Sequence, residues 1–128
     1  MGNYSVEIKE NVEAAITNLQ AAKEWIQDGQ YEHAVSRASD SAFHTARALL
    51  LDEGIESSKH GDVITLLQEI FVNGRKLTKE QGMNLHWLFA IRNADERTAS
   101  VRVTADEAHR AVQVAESFFE AAKVILEA

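Results

Sequence analysis

Arg37, Asp40, His44 and Arg47 follow one another at steps of three, four and three residues. On a helix those steps bring the four side chains onto one face. Such a face carries two guanidinium forks suited to an anion, a carboxylate, and an imidazole able to take or give a proton near neutral pH. Further along, Arg92, Asn93 and Asp95 bring similar types together again. If the two segments are neighbouring helices, Arg37, Asp40, His44, Arg92, Asn93 and Asp95 line one polar groove fit to bind an anion such as phosphate. The competing reading is architectural. In it Arg37 and Arg92 are satisfied by Asp40 and Asp95, and the ion pairs fix how the helices sit together.

Other chemistries find less support. Asp40 and His44 share a face at i, i+4, but two ligands do not make an unassisted metal site, and a hydrogen bond between them is the expectation. The Glu-x-x-His pairs that hold metals inside helical bundles are missing. The five histidines, His33, His44, His60, His86 and His109, are spread over four elements. No His-Glu-x-x-His, phosphate-binding glycine loop or Gly-x-Ser-x-Gly occurs, so no cofactor and no metal is implied.

Charge narrows the partners. Thirteen Lys and Arg stand against twenty Asp and Glu, a net charge of −7, which argues against a broad basic face for duplex nucleic acid. The segment 61–103 departs from this balance, with Arg75, Lys76, Lys79, Arg92, Arg97 and Arg102 against five acids. An anion bound anywhere is best placed there. Cysteine is absent, which removes disulfides and thiolate chemistry. The N-terminal residues lack the basic-then-apolar pattern of a secretory signal, and no apolar run reaches bilayer length, so a cytoplasmic protein without a membrane partner is expected.

The elements that position these residues are helices. The chain has no proline and 45% hydrophobic residues, and its 128 residues are expected to form one domain over 1–128. Ile8, Val12, Ala15, Ile16, Leu19, Ala22 and Ile26 recur at helical spacing, with Trp25 beside the stripe and Gly29 just past the end. A short link leads to the central helix from Tyr31 to Leu51, whose Ala34, Ala38, Ala42, Thr45, Ala46 and Leu49 form a face small enough for a neighbour to approach closely. Gly54 ends it. A third helix carries Val63, Ile64, Leu66, Leu67, Ile70 and Phe71 inward and stops at Asn73-Gly74. Thr78 to Gln81 and Thr104 to Glu107 both match the capping box, the second with Val103 and Ala108 as its hydrophobic staple. They open a fourth helix with Met83, Leu85, Leu88, Phe89 and Ile91 inward, and a last helix from Ala108 to Ile125. No strand alternation is convincing. The fold expected is an all-α antiparallel bundle of four to five helices. Trp25 and Phe119 lie off their core stripes and, if exposed, would form an apolar patch that a second copy could cover.

The central stretch closely resembles the HEPN domain family, in its small stand-alone bacterial and archaeal branch. The resemblance rests on Tyr31, Ala34, Arg37, Ala38, Ala42, Phe43, His44, Ala46, Arg47, Ala48, Leu49 and Leu50. It continues through Ser57-Ser58-Lys59-His60-Gly61 and Arg92-Asn93-Ala94-Asp95, and covers roughly Tyr31 to Leu126. It implies a homodimeric helical bundle, in many members an RNA-cleaving toxin paired with a nucleotidyltransferase-fold protein, in others a binder of nucleotide or RNA. Cleaving members carry a histidine four to six residues after the arginine matching Arg92, for acid–base work or for orienting the 2′-hydroxyl. Here positions 93–99 hold none, Glu96 replaces a tyrosine, and Ser39 and Asp40 replace a tyrosine pair. The reading that follows is a non-catalytic HEPN-like binding module. The alternatives are a ribonuclease toxin with a non-standard site around Arg92, and a purely structural dimer or adaptor.

Overall fold

Packing at α2 sets the architecture. The computed structural model describes residues 4–97 and 102–128, and the side chains of 93–97 lie outside what it describes. Five helices follow in order: α1 (Ser5–Gln27), α2 (Tyr31–Asp52), α3 (His60–Leu67), α4 (Lys79–Arg97) and α5 (Ala105–Glu127). A π-turn, Gln68–Val72, prolongs α3. Among the described residues there is no strand, so the all-α expectation holds.

α2 touches all four other helices, and it can because so much of it is small. Ala34, Ala38, Ser39, Ser41, Ala42, Thr45, Ala46 and Ala48 are buried along with Val35, Leu49, Leu50 and Leu51. Side chains of that size let helix axes come close, and Ser41 Oγ reaches across to donate to the Ala15 carbonyl at 2.7 Å. Thr45 instead returns its hydroxyl to the Ser41 carbonyl of its own helix. The remaining bulk comes from the partners: Leu19 of α1, Val63, Leu67 and Phe71 of the third element, Leu85, Leu88 and Phe89 of α4, and Val112, Val114 and Phe118 of α5. Lys23 and Glu116 add an ion pair between α1 and α5.

Ends are marked as the residue types require. Gly29 and Gly54 follow α1 and α2 with φ of 73° and 80°, the left-handed region that favours glycine. Both capping boxes form, Thr78 with Gln81 and Thr104 with Glu107, each by a reciprocal pair of bonds. Val103 and Ala108, the staple pair, are both buried. The third helical segment stops at Asn73-Gly74, as expected. Arg75, not Gly74, takes the left-handed conformation, with φ of 64°. Gly74 is needed for space, since a Cβ there would lie 2.2 Å from the Ile70 carbonyl oxygen.

Several side chains are placed against expectation. Ile16 and Met83 face solvent, 49% and 66% exposed, because their helices turn Ala15, Leu19, Leu85 and Leu88 inward. Ile64, Leu66, Ile70 and Ile91 are only partly buried. The condition for an aromatic patch is not met: Phe119 is buried, and Trp25 is half-buried with its ring centroid 4.9 Å from that of His33.

Two substitutions test the α2 packing. Ala38 has no exposed surface, so Ala38→Leu should cost about 1–3 kcal/mol in urea unfolding through overpacking. Ser39 is equally buried and its hydroxyl has no hydrogen-bond partner among the described residues. Removing that unmet polar group in Ser39→Ala should raise the melting temperature, with a gain on the order of 1 kcal/mol.

Candidate functional site

The polar stripe of α2 is built from both of its flanks. On α1, Asn11 and Asn18 stand seven residues apart, and each uses its amide nitrogen to donate to a carbonyl four residues back, Glu7 and Ala14, at 2.9 Å. That fixes both amides with the oxygen turned towards α2. Asn18 Oδ1 accepts from Arg37 Nη1 at 3.2 Å, and Asn11 Oδ1 lies 2.9 Å from His44 Nδ1. Moving seven residues forward on α1 thus moves seven back on α2, which only antiparallel helices allow. Because the Asn11 oxygen can only accept, the His44 ring must carry its proton on Nδ1.

The other flank is α4 and the loop before α3. Arg92 Nη2 lies 3.4 Å from Asp40 Oδ1, with the two side chains 25% and 33% exposed. Arg47 donates through Nε to the Ser57 carbonyl at 3.1 Å and so ties down the polar connection that leads to His60. The His60 ring stacks on Phe43, centroids 4.8 Å apart and 6° from parallel, and meets Phe89 edge-on at 5.3 Å.

The structure therefore brings Asp40 and Arg92 together, and pairs the others differently from the sequence reading. Arg37 is exposed and bonds Asn18, not Asp40. His44 bonds Asn11 on the neighbouring helix, not Asp40 on its own. Asn93 and Asp95 belong to α4, and their side chains lie outside the described residues. The partners missed from sequence are Asn11 and Asn18. Their signal was a polar pair at heptad spacing inside an otherwise apolar α1 face.

His44 is held below its ordinary value of 6.5, first by burial and then by the Arg47 charge, with Asp40 pulling the other way. No group of three or more metal-ligating side chains comes together among the described residues, and none of their helices is long and apolar enough to cross a membrane.

The profile of the HEPN domain matches residues 8–125. The chain belongs to the HEPN family. A Methanocaldococcus jannaschii protein named "Putative toxin" is 36% identical over 128 aligned residues, covering 94% of this chain and 89% of that protein. Another of the same name and organism is 27% identical over 105 residues, covering 82% of this chain and 71% of its own length. The HEPN match extends the resemblance from Tyr31 back to residue 8 and so takes in α1, the helix that supplies Asn11 and Asn18 to the stripe.

The lowered His44 value sets a pH dependence. Below about pH 6.5 the unfolded chain takes up a proton at this position before the folded one does. Stability is therefore full above that pH and falls as the pH drops towards the lowered folded value. Melting temperatures at pH 7.5, 6.5 and 5.5 should show a decline that is shallower in His44→Gln.

Proposed function

We propose that this chain is a toxin-like HEPN protein that binds a phosphate-bearing ligand, a nucleotide or RNA, in the seam between α2 and α4 without cutting it. The reading rests on the Asp40–Arg92 pair. A guanidinium placed at the seam, one-quarter exposed and 3.4 Å from an Asp40 carboxylate oxygen, can exchange that carboxylate for phosphate at little cost, because a partly solvated ion pair is worth only about 0–1 kcal/mol. Arg37, exposed and bonded to the neutral amide of Asn18, offers a second fork on α2.

Cutting RNA needs a proton donor and acceptor beside the scissile phosphate. The residues after Arg92, from Asn93 to Ala99, include no histidine. His44 is turned to α1 by Asn11, and His60 packs against Phe43 and Phe89. The toxin-like element comes from the names of the relatives. A homodimer and a nucleotidyltransferase-fold partner belong to the same reading through the family likeness.

Arg92→Ala and Arg37→Ala separate binding from architecture. Each should lose no more than about 1 kcal/mol of stability, as expected for partly exposed pairs, while reducing the shift in melting temperature that a nucleotide mixture gives the wild type. A steep fall in melting temperature without any ligand shift in the wild type would return the seam to a purely structural role. Incubation with single-stranded RNA should show no cleavage above a buffer control, and cleavage lost in Arg92→Ala would restore the ribonuclease reading.

A further inference from the structure

A second groove lies on the far side of α4. Met83, His86, Trp87 and Ala90 recur at i, i+3, i+4 and i+7 and form one face of that helix. Arg92, two residues beyond Ala90, points roughly the opposite way, alongside Leu85, Leu88 and Phe89. The outer face and the π-turn enclose an open groove of about 580 Å³, with Gln68, Val72 and Asn73 as the other wall and Lys79 at one end. Its floor is close-packed where Gly82 meets the π-turn. A Cβ on Gly82 would lie 2.9 Å from Val72 Cγ2, and Gln68 Nε2 donates to the Gly82 carbonyl at 3.1 Å. Through Val72, Asn73 and Lys79 this groove runs on into a second lobe of about 550 Å³, lined by Arg75, Lys76, Leu77 and Thr78.

The two lobes differ in chemistry. The first is apolar and aromatic, with Met83 66% exposed and the Trp87 ring backed by the Arg110 guanidinium at 3.9 Å. The second is cationic. Neither lobe is lined by a single Asp or Glu, although acids outnumber bases by seven in the chain. Lys76 is shared with Glu53 at 3.3 Å, whereas Arg75 and Lys79 have no ion-pair partner among the described residues. The turn that presents them is held by backbone hydrogen bonds. Arg75 sits at φ 64°, and Lys76 and Leu77 both donate to the Phe71 carbonyl at 2.9 Å, with Leu77 buried. Strained backbone and a π-turn at one place are the kind of local irregularity that accompanies binding sites.

We propose that this two-lobed groove is a binding site for a nucleotide unit, with the phosphate against Arg75 and Lys79 and the base against Met83, His86 and Trp87. Charge complementarity selects the anion, and a polarisable, aromatic lobe beside it selects a planar ring. The site is distinct from the α2–α4 seam and does not depend on the seam binding anything. A free mononucleotide and one residue of a single strand present the same chemistry.

The test uses the full chain, with AMP in one arm and a single-stranded RNA pentamer in the other, read by the two indole N–H signals in NMR and by titration. Binding should move the Trp87 indole and leave Trp25 in place. Arg75→Gln/Lys79→Gln should weaken binding at least tenfold without lowering the melting temperature, Lys79→Arg should restore it beside native Arg75, and Arg92→Ala should leave the Trp87 response unchanged. Saturation by AMP as tight as by the pentamer assigns a mononucleotide, and tighter pentamer binding with a steeper salt dependence assigns a strand. Absence of any Trp87 shift with both ligands overturns the proposal. So does a shift that survives Arg75→Gln/Lys79→Gln, or one that is lost in Arg92→Ala.

Discussion

The close approach of α1 to α2 is the constraint on which the rest of the molecule depends. It exists because Ala15, Ala22, Ala34, Ala38 and Ala42 leave no bulk between the helices, and Ser41 uses the proximity to bond the α1 backbone. An all-leucine interface would have held the axes further apart and put the polar stripe out of reach of α1. With the axes near, the short amides of Asn11 and Asn18 span the gap and settle the direction of Arg37 and His44. The geometry of the candidate site is thus a by-product of alanine packing several ångströms away from it.

The two flanks of the stripe have different electrostatic characters. Towards α1 the partners are neutral amides, so Arg37 has no ion-pair partner among the described residues, and burial and the Arg47 charge lower the His44 pKa. Towards α4 the pairing is ionic, Asp40 with Arg92. An anion entering from solvent therefore competes with a carboxylate at Arg92 and with a weak dipole at Arg37. The stripe is graded from an ion-paired cation to an amide-bonded one, a gradient the spacing of residues 37–47 alone does not disclose.

How much could be read in advance divides along the same physical line. Helices, caps and the burial of Ala34, Ala38, Ala42 and Leu49 were legible because they follow from period, propensity and local hydrogen bonds. Both capping boxes formed as their residue types demand. The pairings of Arg37 and His44 were not legible, since they depend on which helix lies alongside and at what height, and Asn11 and Asn18 look like solvated polar residues until that is known. Met83 failed for a related reason. Its position is apolar, but the inward direction of α4 is set by Leu85, Leu88 and Phe89, and a fourth large side chain has no room on that side.

The π-turn corrects a mismatch of phase. Val63, Leu67 and Phe71 are spaced by four residues and are all buried, yet each four-residue step in an α-helix overshoots a full revolution by about 40°. Two such steps would carry Phe71 well round the cylinder from Val63 and out of the core. Closing the last turn with i→i+5 bonds under-winds the chain and brings Phe71 back into line. A chain shortened by one residue between Gln68 and Val72 could relax to ordinary α-winding, but the frame of everything downstream to Leu77 would rotate with it. Length in this segment is therefore coupled to angle, and insertions or deletions there act as rotations.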